Sequence, residues 1–142
     1  MSEQTVTSGL DALRAALGWE GRERVDVVER RHLSDFLAAI DEHDPGSVYD
    51  EVPPTYLASL VDEPPVLPAA ARYGDGWLNG GDRFECPTPI RLGDTLHSRT
   101  RFVDVTEKTG RSGAMAILTF VTEFTRPDGT VAARHVGTRI RR

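Results

Sequence analysis

Residues 95–140 read TLHSRTRFVDVTEKTGRSGAMAILTFVTEFTRPDGTVAARHVGTRI. Apolar and polar residues alternate along much of this stretch, as they do on strands that bury one face. Two polar segments that contain glycine interrupt the alternation, at 109–113 and at 126–129. The second reads RPDG, a typical hairpin turn, because proline suits the second turn position and glycine the last. The stretch therefore predicts three antiparallel strands, at 95–107, 114–125 and 130–140.

Two further strands are predicted upstream. Residues 79–86 follow a glycine-rich loop and end at Pro87, which a central strand does not accept. Residues 22–30 alternate Val25 and Val27 with charged residues, as a half-buried strand does.

Three short helices are predicted in the first half of the chain. Ser8 can cap a helix at 8–18, and Pro54 can begin one that continues through Leu60. A helix at 34–40 would face inward with Phe36, Leu37 and Ile40. A chain with helices in its first half and an antiparallel meander in its second half is typical of an α+β fold, in which helix packs on one face of the sheet.

The length and charge of the chain limit its organisation and its partners. Residues 1–142 fit one domain, because domains average ~100–200 residues, and residues 1–20 would be a helical extension. The 22 acidic and 17 basic residues give a net charge of −5, which argues against a nucleic-acid partner. No apolar run approaches the ~18 residues that span a bilayer, and the first residues do not resemble a signal peptide. We therefore expect a cytoplasmic protein without a membrane segment.

Arginine is concentrated at the C-terminal end. The last 17 residues contain five arginines and a single acid, Asp128. A solvated strand face is the favoured interpretation. The alternative is a surface complementary to an acidic patch on another subunit or to a phosphate.

The sequence indicates neither a metal nor a cofactor. Cys86 is the one cysteine, so it cannot form an internal disulfide, and no Cys/His spacing is typical of zinc. The glycines at 74–81 lack the strand and helix that flank a dinucleotide site.

Three stretches, taken in order, resemble one protein family. Residues 36–45, FLAAIDEHDP, are similar to a helix followed by a Gly-Asp-x-Asn-Pro motif, and residues 52–57, VPPTYL, are similar to a Pro-Pro-Thr helix start. Residues 78–96 contain LNGG, FE and PIRLGDTL, similar to a strand, a proline and a Gly-Asp turn. The set resembles the MaoC-like dehydratases of the N-terminal-half type, from about Gly21 to Ile140. That resemblance implies the hot dog fold, in which a curved antiparallel sheet wraps a helix.

The same resemblance implies an activity. The family hydrates enoyl thioesters, or dehydrates (R)-3-hydroxyacyl thioesters, carried on CoA or acyl carrier protein. Adding water across the double bond requires a base near the water and an acid near the α-carbon. It also requires a donor to the thioester oxygen, on which negative charge develops.

The positions that match the family's catalytic loop depart from its pattern. The aspartate position falls on Glu42 and the asparagine position on Asp44. The histidine position holds Ser47, and the nearest ring belongs to Tyr49, whose ordinary pKa of ~10 makes it a poor substitute for histidine at ~6.5. A solvated acidic loop is the favoured interpretation of Glu42 and Asp44. The resemblance then implies a catalytically degenerate subunit that binds substrate beside a second, catalytic hot dog chain, in a heterodimer or a dimer of dimers.

The same resemblance implies that six residues bind the substrate: Pro54, Thr55, Tyr56, Asn79, Gly80 and Gly81. Residues 53–55 would open a helix whose first N–H groups polarise a thioester oxygen, or its prolines would simply end the loop. His97 and His135 are expected in mid-strand, as packed or surface residues. The meander at 95–140 is expected to leave one strand available to continue the sheet into a partner.

Two other functions remain open on the sequence. One is a self-sufficient homodimeric hydratase or thioesterase that uses Glu42 or another carboxylate. The other is a module that binds acyl thioesters without catalysis. Activity of the purified chain on crotonyl-CoA separates the first from the rest, and co-purification of a histidine-bearing hot dog chain separates the subunit from the module.

Overall fold

The protein is described by a computed structural model of residues 8–40 and 51–142. One antiparallel sheet has the strand order β1-β3-β4-β5-β2. Its strands are β1 Arg24–Val27, β2 Trp77–Glu85, β3 Thr95–Gly110, β4 Gly113–Thr125 and β5 Val131–Arg141. The helices are α1 Gly9–Ala15, α2 Arg30–Ala39 and two 3-10 helices, Pro54–Leu60 and Pro68–Arg72. The α+β class expected from the sequence is confirmed. Among the described residues, no helix is long and apolar enough to cross a membrane.

The predicted meander is present as β3, β4 and β5. The register pairs Phe102 with Phe120, and Phe120 with Gly137, so that these residues share one face of the sheet. On that face Leu118, Phe120 and Phe124 are all buried, as their alternation predicts. We call this the inner face, because the helices and connecting segments pack on it.

The inner face carries two apolar clusters. The first lies beneath α2 and the Pro54–Leu60 helix, and its largest members are Leu33, Leu37, Tyr56, Leu57, Leu60, Leu96 and Phe124. The second lies beneath α1 and the Pro68–Arg72 helix, and includes Leu13, Leu67, Phe102, Val105, Leu118 and Phe120. Their division leaves a strip of the inner face between them, and that strip holds the candidate site.

The Pro54–Leu60 helix has the predicted bounds, whereas α1 ends earlier than predicted and α2 begins at Arg30, four residues before the predicted start at 34. Ser8 Oγ accepts a hydrogen bond from the backbone N–H of Asp11 at 3.0 Å, which confirms the predicted cap of α1. Because α1 ends at Ala15, Leu17 lies outside the helix and is exposed. In α2, Leu33 and Leu37 are buried.

Ile40 does not face inward as predicted. It is the C-terminal cap of α2 and is exposed, because the chain leaves the helical path there.

The first strand is present, but its faces are the reverse of those predicted. Val25 and Val27 are exposed, whereas Arg24 and Asp26 turn toward the interior. Arg24 Nη2 lies 3.3 Å from Asp26 Oδ1, and its Nη1 lies 3.3 Å from Asp62 Oδ1. Ion pairs therefore compensate the charges on the inner side of β1.

The open edges of the sheet include part of the meander, as expected. β1 pairs only with residues 95–98 of β3, and β2 pairs with residues 134–141 of β5. Among the described residues, the free strand edges are therefore those of β1, of β2 and of residues 103–110 of β3. A continuation of the sheet into a partner would use one of these three edges.

We expect Gly9→Ala to destabilise the protein by about 1 kcal/mol, although alanine favours helix over glycine by a similar amount. A Cβ at Gly9 would lie 2.4 Å from the backbone oxygen of Arg72, so that α1 could not keep its place on the Pro68–Arg72 helix. Urea denaturation measures the change. Gly76→Ala is the matched control, since its Cβ would meet Arg142 at an ordinary 3.4 Å. Equal stability of the two variants would contradict this packing.

Candidate functional site

A row of polar side chains crosses the inner face between the two apolar clusters. The register aligns Thr100 of β3, Thr122 of β4 and His135 of β5, and His135 lies opposite Phe84 of β2. The two threonine hydroxyls are 2.6 Å apart, and the His135 ring stacks on Phe84 with centroids 4.9 Å apart. Thr122 and His135 are buried. Polar groups so placed need hydrogen-bond partners, because burial removes them from water.

His135 has such a partner in Asp82. Its Nε2 lies 2.7 Å from Asp82 Oδ1. Because an ionised carboxylate only accepts hydrogen bonds, Nε2 carries the proton and Nδ1 is left for another contact. Desolvation by itself would raise the pKa of Asp82, but hydrogen bonds from Arg139, His135 and Asn79 outweigh it and lower that pKa to about 2. Asp82 is therefore an anion at any physiological pH.

Arg139 joins Asp82 to Glu63. The guanidinium is buried, and its Nη2 donates to Asp82 Oδ1 at 2.8 Å and also to Glu63. Its Nη1 donates to the backbone oxygen of Gly81 at 3.0 Å and to Asn79 Oδ1 at 3.2 Å. Burial would lower the pKa of Arg139, but the two carboxylates raise it. The cation thus holds two segments of the chain against β5.

Gly137 lets His135 and Arg139 lie next to each other on β5. A Cβ at Gly137 would lie 3.0 Å from His135 Cε1 and 3.2 Å from Arg139 Cζ. Both distances are tighter than ordinary contacts, so a side chain there would push the two polar groups apart.

A segment at residues 61–66, here called the strap, covers this polar row. Glu63 anchors it to Arg139, and Asp62 anchors it to Arg22 at 3.0 Å and to Arg24 at 3.3 Å. Between the strap and the sheet lies a cavity of about 30 Å³. Its apolar lining comes from Trp19, Val61, Pro65, Val66 and Phe120. Its polar lining comes from Ser98, Thr100, Thr122 and His135, and from the charged residues Arg22, Arg24, Asp62, Glu63, Arg99 and Arg139.

The residues that were expected to resemble a catalytic loop lie outside the described residues. These are Glu42, Asp44 and Tyr49. Pro54 and Thr55 begin a 3-10 helix, as the sequence predicts. Both are exposed, and neither lines the cavity formed by the described residues.

Tyr56 is fully buried, and its hydroxyl is 2.8 Å from His32 Nδ1. Burial, with the negative charges of Asp26 and Glu29, raises the pKa of Tyr56 to about 12. The hydroxyl therefore stays protonated and shares a hydrogen bond with His32 Nδ1.

The glycine-rich start of β2 does take part in the polar cluster. Asn79 Oδ1 accepts from Gly81 N–H at 2.8 Å and from Arg139, and Asn79 Nδ2 donates to Asp82 at 3.2 Å. The register shifts between Asn79 and Gly81, so Gly80 forms a bulge against Thr138. Asn79 and Gly81 thus support the cluster rather than line the cavity.

The C-terminal arginines correct the expectation of a solvated strand face. Arg139 and Arg141 are both buried. Arg141 donates to the backbone oxygens of Ala70, Tyr73 and Gly74, and its guanidinium lies 5.1 Å from the ring of Trp77. The partners of both arginines belong to this chain.

His135 and its partners are the functional candidates that the sequence did not single out. His135 is packed in a strand, as expected, but Asp82, Glu63 and Arg139 were not linked to it. The available signal was the alternation on β5, where Ala133, His135, Gly137 and Arg139 occupy successive inward positions. His97 is a surface residue 3.6 Å from Glu23.

The described residues contain no group of three or more His, Cys, Asp or Glu side chains that could hold a metal ion. Cys86 is half-buried, and burial raises the pKa of its thiol.

Solved structures resemble this fold over most of the chain. The HadBC (3R-hydroxyacyl-ACP dehydratase) complex from Mycobacterium tuberculosis has a TM-score of 0.67 at 19% identity, over 88% of this chain and 96% of that chain. The ChsH1-ChsH2 complex from the same organism has a TM-score of 0.72 at 14% identity, over 94% and 90%. A MaoC-like dehydratase reaches a TM-score of 0.74 at 18% identity, over 90% of this chain but 42% of that one. At such identities the likeness shows the fold alone, which is the expected hot dog fold.

The sequence itself matches one family. No curated protein matches the chain. The family model described as FAS1-like, dehydratase domain region, matches residues 15–135, which include β1 to β4, the strap and the first half of β5. The chain therefore belongs to this dehydratase-region family of MaoC-like hot dog proteins.

Proposed function

We propose that this chain is a subunit of an (R)-specific enoyl thioester hydratase or 3-hydroxyacyl thioester dehydratase in the cytoplasm. It binds the acyl thioester, on CoA or acyl carrier protein, and stabilises the assembly. A second hot dog chain supplies the catalytic aspartate and histidine.

The observation that carries the proposal is the sequence at 42–49, compared with the family to which the chain belongs. Glu42 places its carboxylate one methylene further out than an aspartate would, and Ser47 replaces the histidine. A displacement of about 1 Å is enough to reduce a rate ~10²-fold, and serine cannot transfer a proton near neutral pH. The loop therefore lacks one partner of the acid–base pair, which a second hot dog chain would provide.

The open edge of β2 supports a partner of the same fold. β2 has nine residues and pairs on one side only, so its outer N–H and C=O groups can continue the sheet. Two of the similar solved structures, HadBC and ChsH1-ChsH2, are named as complexes.

The inner face explains how such a subunit could act on the substrate without transferring a proton. The apolar side chains that line the cavity would exclude water from any part of an acyl group that enters it. Fixing the acyl group lowers the entropic cost of bringing the double bond to the partner's acid and base. In this proposal the described residues position the acyl group and keep water away from it.

One observation favours a second candidate, a self-sufficient homodimeric hydratase. A carboxylate that orients a histidine is a common arrangement for a general base, and Asp82 orients His135 in this way. His135 also lines the cavity. In that case His135→Gln would lower the activity of the isolated chain by ~10²-fold or more, without changing its fold.

The decisive experiment compares the isolated chain with a reconstituted complex. The partner is a hot dog chain with an intact Asp…Asn-Pro…His loop, sought first in the neighbouring reading frame. We expect the two to co-purify, and their complex to hydrate crotonyl-CoA at least ~10-fold faster than the two separate chains together. An isolated chain as fast as the complex would overturn the proposal, as would a partner whose rate this chain leaves unchanged.

We expect the chain to form a dimer, or a dimer of dimers, that buries at least the ~1,200 Å² typical of specific interfaces. The physical reason is the unpaired edge of β2, where Arg83 and Glu85 are the charged side chains at its end. Light scattering at micromolar concentration measures the mass, with the partner chain present and absent. A monodisperse monomer in both samples would contradict the expectation.

Glu42→Ala and Tyr49→Phe should each lower kcat of the assembled complex less than ~10-fold. A true general acid or base would lose ~10²–10⁴-fold. The reason is that no histidine follows Pro45 at the family's spacing, so the Glu42 carboxylate lacks a proton-transfer partner. The matched control is alanine at the corresponding aspartate of the catalytic chain. A loss beyond ~10²-fold in Glu42→Ala, with assembly intact, would assign the chemistry to this loop.

A further inference from the structure

The face of the sheet opposite the inner face, here called the outer face, is apolar along its middle. Its register pairs Ile117 with Ile140 and Val121 with Val136. Leu78 of β2 lies opposite Ile140 and is 43% exposed. None of these five side chains belongs to either apolar cluster of the inner face. The outward face of a sheet is polar where it meets water, so this apolar surface indicates that another molecule covers it.

Arg134 lies on the same outer face and lacks an acceptor. Its Nε is buried and has no hydrogen-bond partner among the described residues. Its two cross-strand neighbours are Glu85 and Glu123. Each of these carboxylates lies beside a different arginine, since Glu85 is 3.3 Å from Arg83 and Glu123 is 3.7 Å from Arg101. A buried donor without an acceptor is unfavourable, so the environment of Arg134 favours an acceptor from another molecule.

The charges at this end of the outer face alternate in sign from strand to strand. The register aligns one outward side chain from each of β3, β4, β5 and β2, in the order Arg99, Glu123, Arg134 and Glu85. A two-fold axis parallel to the strands, between β4 and β5, exchanges β4 with β5 and β3 with β2. Each arginine of the row then faces a glutamate of a second copy. The row is therefore complementary to itself, as a two-fold interface requires.

The same axis matches the apolar part of the outer face. Ile117 of one copy faces Ile140 of the other, and Val121 faces Val136. Two sheets whose strands run nearly parallel pack about 10 Å apart, with such side chains filling the space between them. Four strands at ~4.8 Å spacing, each with ~10 residues at ~3.4 Å per residue, give a face of about 650 Å². Two such faces together bury about 1,300 Å², which is enough for a specific interface.

We propose that the outer face is a self-association surface, on which two copies of this chain pack back to back and Arg134 of each copy donates to Glu123 of the other. This surface is separate from the edge of β2, which the proposed function assigns to a hot dog partner, so that both can be occupied at once. Two heterodimers would then join through the outer faces of this chain. A contact of about micromolar strength adds little to the stability of each chain at micromolar concentration, so association measures it better than unfolding does.

Sedimentation equilibrium of the full, isolated chain at micromolar concentrations measures the association constant. We expect a homodimer. Glu123→Arg and Arg134→Glu each place like charges opposite one another at two points of the interface, and each should weaken association at least ~10-fold. The variant with both changes restores opposite charges and should recover the native constant to within ~3-fold. Asp35→Arg, the matched control on the exposed side of α2, makes the same change of charge as Glu123→Arg and should leave association unchanged.

The measurement uses neither a thioester nor a second kind of chain, so its result is separate from that of crotonyl-CoA hydration. Circular dichroism checks that each variant is folded. A monomeric chain would overturn the proposal, even if Glu123→Arg weakened a complex with the hot dog partner, because the outer face would then bind that partner. A homodimer that both single variants leave intact would overturn it as well, since pairing at a strand edge does not involve these side chains. A double variant that fails to recover association would refute the pairing of Arg134 with Glu123.

Discussion

Replacing Arg139 by methionine should lower the free energy of unfolding by about 2–4 kcal/mol. The Arg139 side chain is 5% exposed and donates hydrogen bonds to the carboxylates of Asp82 and Glu63. Methionine fills similar space but leaves both anions without their cation. This loss is toward the lower end of the range for a broken buried ion pair, because the Glu63 side chain is 43% exposed and water can solvate it.

Urea denaturation at pH 7 measures this loss. Arg134→Met is the matched control, since Arg134 lies on the same strand and the described residues give its Nε no hydrogen-bond partner. We expect the control to lose less than about 1 kcal/mol. Arg139→Lys should fall between the two, because lysine keeps the charge but not the fork that reaches both carboxylates. If Arg139→Met were no less stable than Arg134→Met, Arg139 would not hold the strap against the sheet.

The strand-rich half of this fold was predictable because its signal is local. Alternation and the RPDG turn define β4 and β5 almost to the residue, since the period of a strand and the geometry of a hairpin depend on near neighbours. β1 was predictable as a strand but not in its orientation. The inward-facing Arg24 pairs with Asp62, 38 residues away, and sequence alternation carries no information on that ion pair.

The candidate site was less predictable for the same reason. Its anchors join Glu63 to Arg139 and Asp82 to His135, pairs separated by 76 and 53 positions. A sequence shows that five arginines stand near the C-terminus, but not that Arg139 and Arg141 are buried. The resemblance to a family identified Asn79 and Gly81 as site residues, and both prove to contact Arg139. The residues at its catalytic positions, Glu42, Asp44 and Tyr49, lie outside the described residues.

Lowering the pH from 6 to 2.5 should reduce the free energy of unfolding by about 1–2 kcal/mol, because Asp82 becomes protonated. The folded-state pKa of Asp82, about 2, lies below the 3.8 that is ordinary for the unfolded chain. The unfolded state therefore binds more protons between these values, and the stabilisation is present above pH 4 and is lost as the pH falls toward 2. Solvent screening reduces its size, because the Asp82 side chain is 25% exposed.

Comparison with Asp82→Asn isolates this contribution from those of other carboxyl groups. The difference in free energy of unfolding between the native protein and Asp82→Asn should be largest at pH 6 and should shrink to well under half of that value near pH 2.5. Asp104→Asn, which removes an exposed carboxyl from β3, controls for the loss of one negative charge. A difference that stays constant with pH would mean that the introduced amide disturbs packing and that the Asp82 carboxylate does not bind Arg139 and His135 as an anion. Because the same anion orients His135, a constant difference would also remove the physical basis for assigning the proton to Nε2 and leaving Nδ1 to the cavity.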